Sequence, residues 1–82
     1  MRLAQYVKFR EEKFGGVLFE TRSEKVFTLN PSATAVIREI ASGDEATIAA
    51  RLKDRFVGQG EAIEREVAAF LAELRQRQLI EE

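Results

Sequence analysis

The chain has 82 residues, with 13 Lys+Arg, 14 Asp+Glu, no His and no Cys, a formal net charge of −1 and a pI near 5.6. One small domain is all this length supports, with a modest core and no room for a large enclosed active site. The composition excludes a disulfide framework, a thiol nucleophile, a thiolate metal site and a histidine base or zinc ligand. It also provides no global electrostatic attraction to nucleic acid.

The N-terminal stretch MRLAQYVKFREE contains no apolar run of signal-peptide length, and no later run is long enough to span a bilayer. A cytoplasmic protein is the expectation. Up to Asn30 the apolar residues alternate; beyond it they recur every three or four positions.

Three strands are expected, at about 5–10, 16–21 and 24–29. In the first, Val7 and Phe9 share a face opposite Tyr6, Lys8 and Arg10. In the second, Val17 and Phe19 alternate with Leu18 and Glu20. In the third, Phe27 and Leu29 alternate with Val26 and Thr28. Aromatic and β-branched residues suit a pleated surface. Glu11 to Gly16 forms the first turn, with Gly15 and Gly16 free to take positive φ, and Thr21 to Glu24 the second. An antiparallel meander follows.

Asn30-Pro31 marks a helix start: Asn30 caps the orphan amides, and proline suits the first helical position. A helix at about 31–42 carries the stripe Ala33, Val36, Ile37 and Ile40, and Ser42-Gly43 ends it with Gly43 left-handed. A second helix at about 45–57 buries Ile48, Leu52 and Phe56, and Gly58-Gln59-Gly60 is a loop. A third helix at about 61–77 carries Ile63, Val67, Phe70, Leu71 and Leu74, after which Leu79-Ile80 packs back onto the core. The order β-β-β-α-α-α describes an α+β domain of winged-helix type in a single unit, residues 1–82.

No catalytic constellation emerges. Ser23, Ser32 and Ser42 have no histidine partner, and Glu64 and Glu66 diverge on their helix. Gly15-Gly16 lacks the rest of a phosphate loop, and Glu11, Glu12, Asp44 and Glu45 do not fit a calcium loop. Charge is unevenly placed: residues 1–30 are net +2 and residues 61–82 net −3. The acidic third helix, with Glu61, Glu64, Glu66 and Glu73, is either an ordinary solvated face or a surface for a basic peptide. Along a DNA groove it would face phosphates of its own sign.

The third strand, Glu24 to Leu29, carries only Lys25 as a cationic guard. If it is a sheet edge, an extended peptide can pair with its backbone and send side chains into a crevice beside the third helix. The alternative is that the chain itself covers that edge.

Residues 7–40, VKFREEKFGGVLFETRSEKVFTLNPSATAVIREI, resemble the PqqD family. The resemblance is carried by Phe14-Gly15-Gly16, by VLFETRSEKVFTLN and by Leu29 to Ala33, and it continues through Ile48, Leu52 and the Leu79-Ile80 tail. The family usually has Gly before that Leu-Ile; here the residue is Gln78. The resemblance implies a non-catalytic recognition domain for ribosomally made, modified peptides. Such a domain needs no cofactor, binds the leader of a precursor peptide and presents it to a radical S-adenosylmethionine enzyme.

The resemblance also implies a groove between the third strand and third helix. Its peptide-binding residues would be Glu24, Lys25, Val26, Phe27, Thr28 and Leu29, opposed by Glu66, Ala69, Phe70, Glu73 and Arg77. Lys8, Arg10 and Lys13 of the basic hairpin are the expected enzyme contact. A homodimer through edge pairing is compatible with this reading. The alternatives are a winged-helix DNA-binding regulator, suggested by EATIAARLKDRF and the long helix after it, and a self-associating structural module.

Overall fold

The computed structural model describes residues 1–55 and 60–82. In chain order these form β1 (Arg2–Leu3), β2 (Val7–Glu12), β3 (Gly15–Glu20), β4 (Lys25–Leu29), α1 (Pro31–Arg38), a 3-10 turn (Ile40–Ser42), α2 (Glu45–Arg55), α3 (Gly60–Gln76) and β5 (Ile80–Glu81). Strands β2, β3 and β4 make the expected antiparallel meander, in that spatial order. The three helices follow. Expected features at Phe56, Gly58 and Gln59 lie outside the described residues, whereas Gly60 opens α3 instead of closing a loop.

The first turn is tighter than expected. Glu12 pairs with Gly15, leaving only Lys13 and Phe14 between β2 and β3. Gly15 has φ 144°, and a Cβ there would sit 2.2 Å from the Leu29 carbonyl oxygen. The hairpin end therefore passes against the β4–α1 junction at a distance only glycine permits. At Gly16 a Cβ would meet Thr34 Oγ1 at 2.9 Å. Thr34 is 1% exposed, and its hydroxyl has no hydrogen-bond partner among the described residues.

The predicted cap forms as expected. Asn30 Oδ1 accepts from the Ala33 amide at 2.7 Å, with Pro31 in the first turn. Helix α1 ends at Arg38, short of the expected 42. Ser42 explains this, because both its amide and its hydroxyl turn back to the Glu39 carbonyl, at 2.9 and 2.6 Å. A serine bonded locally in this way competes with the α-helical ladder and tightens it to a 3-10 turn. Ile40 remains buried. Gly43 has the positive φ expected of it (158°), but with ψ −150° it lies in a region open essentially to glycine alone and not in the left-handed helical one. Asp44 then caps α2: its Oδ1 accepts from the Thr47 amide at 3.0 Å and the Thr47 hydroxyl at 3.1 Å. Those bonds, the amide's first, hold its carboxyl below the usual aspartate range.

The core lies between the inner sheet face and the helices. Leu18, Ile48, Val67, Leu71 and Leu79 are almost fully enclosed. The alternation on β3 therefore resolves with Leu18 inward and Phe19 outward. Arg38 of α1 donates to the Glu11 carboxylate of β2, pinning the hairpin to the first helix and lowering the Glu11 pKa.

Two short strands escape the sequence pattern. Arg2 pairs with Glu81 and Leu3 with Ile80, so the C-terminal tail both packs on the core and forms a ribbon with the N-terminus. Gln78 enters that ribbon with φ 61°, the left-handed conformation in which glycine is most at ease. Its carbonyl accepts a hydrogen bond from the Tyr6 hydroxyl.

Candidate functional site

Strand β4 is an edge of its sheet, since among the described residues only β3 pairs with it. The hydrogen-bond parity can be followed across the sheet. The Thr21 amide donates to the Tyr6 carbonyl at 2.8 Å, one step beyond the Val7–Glu20 pair. Antiparallel ladders alternate, so Gly15, Val17 and Phe19 bond toward β2, and Gly16, Leu18 and Glu20 toward β4. Their partners Leu29, Phe27 and Lys25 are thereby engaged. Val26 and Thr28 direct their backbone N–H and C=O groups outward, to the open edge.

Beside this edge runs α3, and two adjoining clefts occupy the space. One, of about 420 Å³, has a floor of Ala33, Val36, Leu52, Ile63 and Val67 and a rim bearing Glu66, Ala69, Phe70 and Glu73. The other, of about 460 Å³, is bordered by Val26 to Leu29 on one side and Phe70, Glu73, Leu74 and Arg77 on the other. Asn30, Ala33, Phe70 and Glu73 belong to both, making one continuous groove.

Its walls follow from local sequence. Glu66, Phe70, Glu73 and Arg77 recur at helical spacing and form a stripe flanking the core stripe of Ile63, Val67, Leu71 and Leu74. Phe70 is half-buried: it packs on the core and also walls both clefts. Arg77 donates to Glu73 at 3.2 Å and holds its guanidinium 5.2 Å from the centre of the Phe27 ring. The α3 end of the strand–helix gap is bridged in this way. Glu66 has no ion-pair or hydrogen-bond partner among the described residues.

Most of the expected site residues converge here. Val26, Phe27, Thr28 and Leu29 border the groove from the strand, and Glu66, Ala69, Phe70, Glu73 and Arg77 from the helix. Glu24 and Lys25 line neither cleft. Glu24 sits in the turn with φ 62°, and Lys25 begins β4 opposite Glu20. The sequence reading missed the floor supplied by α1 and α2, namely Asn30, Ser32, Ala33, Val36 and Leu52. Asn30-Pro31 held a usable signal: a helix capped directly after an edge strand must border that strand's groove.

The chemistry of the groove is apolar with an anionic rim. Glu64, two residues from Glu66, is turned away to an ion pair with Lys53 of α2. Ser23 donates to Glu20 and Ser42 to the Glu39 carbonyl. Among the described residues no cluster of acidic side chains could hold a metal ion. No described helix is long and apolar enough to cross a membrane.

A family model described as coenzyme PQQ synthesis protein D (PqqD) matches residues 15–80. No curated protein matches the chain. Among solved structures, TbiB1 in complex with the TbiA(beta) leader peptide superposes with a TM-score of 0.85 at 17% identity, over 99% of this chain and 95% of that one. Lasso peptide synthetase B1 complexed with its leader peptide gives 0.79 at 24% identity, over 95% and 93%.

Proposed function

The chain belongs to the PqqD family, and from that premise we propose that it is a non-catalytic peptide chaperone. It binds the leader of a ribosomally made precursor peptide by strand addition and presents that leader to a modifying enzyme. The observation that carries this reading is the open β4 edge, with the outward groups of Val26 and Thr28, beside an apolar groove that runs along α3. Edge hydrogen bonds supply affinity that is independent of sequence, and alternate side chains of the added strand enter the groove and set the register. The contact residues are Val26 to Leu29, Glu66, Ala69, Phe70 and Glu73, with Arg77, which borders the groove across from Phe27, giving way to the leader. Glu66 and Glu73 favour a basic leader, chiefly through its rate of association.

Both structural relatives hold a leader peptide, as their names state. The domain contributes no reacting group. It raises the leader's effective concentration at the enzyme. The family resemblance points to a radical S-adenosylmethionine enzyme as the recipient. Because one structural relative is a lasso peptide synthetase B1, an enzyme of lasso-peptide synthesis is the competing recipient.

The test is an NMR titration of labelled protein with synthetic leaders taken from short reading frames beside the gene. Saturable shifts concentrated in residues 25–29 and along α3 are expected. Silence with every leader together with shifts on adding duplex DNA would overturn the reading in favour of a regulator. Turnover of the precursor by each neighbouring enzyme, with and without the domain, then identifies the recipient.

A further inference from the structure

The outer face of the three-stranded sheet departs from the usual alternation. An antiparallel sheet with one wet face buries apolar residues on one side and shows polar ones on the other. Helix α1 packs against β3 and β4 on the side where Leu18 and Leu29 are buried. On the opposite side, the register places Lys8, Phe19 and Val26 in one row and Arg10, Val17 and Thr28 in the next. Phe19 is 36% and Val26 58% exposed, and Phe14, in the β2–β3 turn, is 55% exposed.

We propose that this outer face, centred on Phe19 and rimmed by Lys8, Arg10 and Lys13, is where the modifying enzyme docks, through an apolar patch bordered by carboxylates. The inference rests on the leader-binding reading of the groove and goes beyond it. Exposed apolar groups gathered on one face mark an interaction surface. The rim defines the occupant's charge: Arg10 is paired with Glu12 at 2.6 Å, while Lys8 and Lys13 have no partner among the described residues. A second copy docked face to face about a two-fold axis would bring the same cationic rims together. An acidic partner complements them.

Geometry links this face to the leader. Val26 presents its side chain to the outer face, and Phe27, the next residue, faces the groove. A leader added to β4 becomes a fourth strand about 4.8 Å away, with alternate side chains on the same outer face as Phe19 and Val26. The enzyme then docks on a composite of domain and leader, and prefers the loaded domain to the empty one.

The test uses the full chain, the purified modifying enzyme encoded beside it and a fluorescein-labelled synthetic leader from the adjacent reading frame. Enzyme affinity is measured by interferometry with and without leader, and leader affinity by fluorescence polarisation. Phe19→Thr and Lys8→Glu, both outside the groove, are each expected to weaken enzyme binding about tenfold. Leader affinity should stay within about twofold of wild type, and the Lys8→Glu loss should shrink at high salt. Wild-type chain should bind the enzyme more tightly with leader present. Unchanged enzyme binding in Phe19→Thr overturns the proposal. So does a wild-type dimer in sedimentation that Phe19→Thr dissolves, because a second copy would then cover the face. A leader that fails to bind wild type overturns the groove reading alone, since the leader-free enzyme titration still decides the docking face.

Discussion

The Arg77 guanidinium lies 5.2 Å from the centre of the Phe27 ring, spanning the space between α3 and β4 while its Nε is bonded to Glu73. A leader side chain seated against Phe27 must displace this group. A cation–π contact at an exposed site is worth about 0.5–1 kcal/mol. Arg77→Ala removes the competitor and is expected to tighten leader binding about two- to fivefold, as read by fluorescence polarisation. A weaker complex would instead mean that the guanidinium contacts the peptide.

The parity of the β4 edge separates two substitutions that look alike. Thr28 points its N–H outward, so Thr28→Pro removes an edge donor without breaking a bond to β3, and proline is tolerated on an edge strand. The variant is expected to remain folded by circular dichroism and to bind leader about tenfold more weakly, the effect of losing one or two hydrogen bonds of about 1 kcal/mol each. Lys25 pairs with Glu20 inside the sheet. Lys25→Pro should therefore lower the melting temperature, and a loss of leader binding there would not report on the edge alone.

Gln78 occupies a left-handed position at φ 61°, where a residue with a Cβ is strained by about 1–2 kcal/mol. Gln78→Gly relieves that strain and loses part of the gain to chain entropy in the unfolded state. Urea denaturation should show a net gain of about 0.5–1 kcal/mol. The bond from the Tyr6 hydroxyl is made to the Gln78 backbone, so it survives the change. An unchanged or lower midpoint would contradict this account of the chain exit.

Acid should loosen the fold as its lowered carboxylates take up protons. Glu11 is held below its ordinary value of 4.5 by the hydrogen bond and charge of Arg38, and Asp44 below 3.8 by its bonds to Thr47. A carboxylate with a depressed folded pKa contributes stability above its unfolded value and loses it as pH falls through the folded one. Melting temperature should thus be level above pH 5, begin to fall near pH 4.5 and continue falling below pH 3.8. Glu11→Gln and Asp44→Asn, which keeps a capping oxygen, should each make that decline shallower, with Glu20, lowered by its bond from Ser23, contributing to what remains.

Much of the fold was legible because it rests on long patterns. The alternation from Val7 to Leu29 fixed three strands, the cap at Asn30-Pro31 fixed the helix start, and the stripe from Ile63 to Leu74 fixed α3. What escaped had no period to read. Strands β1 and β5 have two residues each and exist only because the tail meets the N-terminus. The early end of α1 depends on a single serine turning back on Glu39.

The site divides in the same way. The strand side followed from a meander's having an edge, and the helix side from a stripe next to the core stripe. The floor from Val36 and Leu52 requires α1, α2 and α3 to meet, which no linear pattern encodes. Glu24 and Lys25 belong to the strand that the family resemblance implies, but neither lines the clefts: Glu24 sits in the turn before β4 and Lys25 at its first position.

The pairing of Arg2 with Glu81 brings both ends of the chain to one spot. A module whose entry and exit lie side by side can be spliced into a surface loop of an unrelated scaffold without stretching either partner. Peptide-recognition capacity would then be transferable as a cassette, with the two-residue ribbon as its clasp.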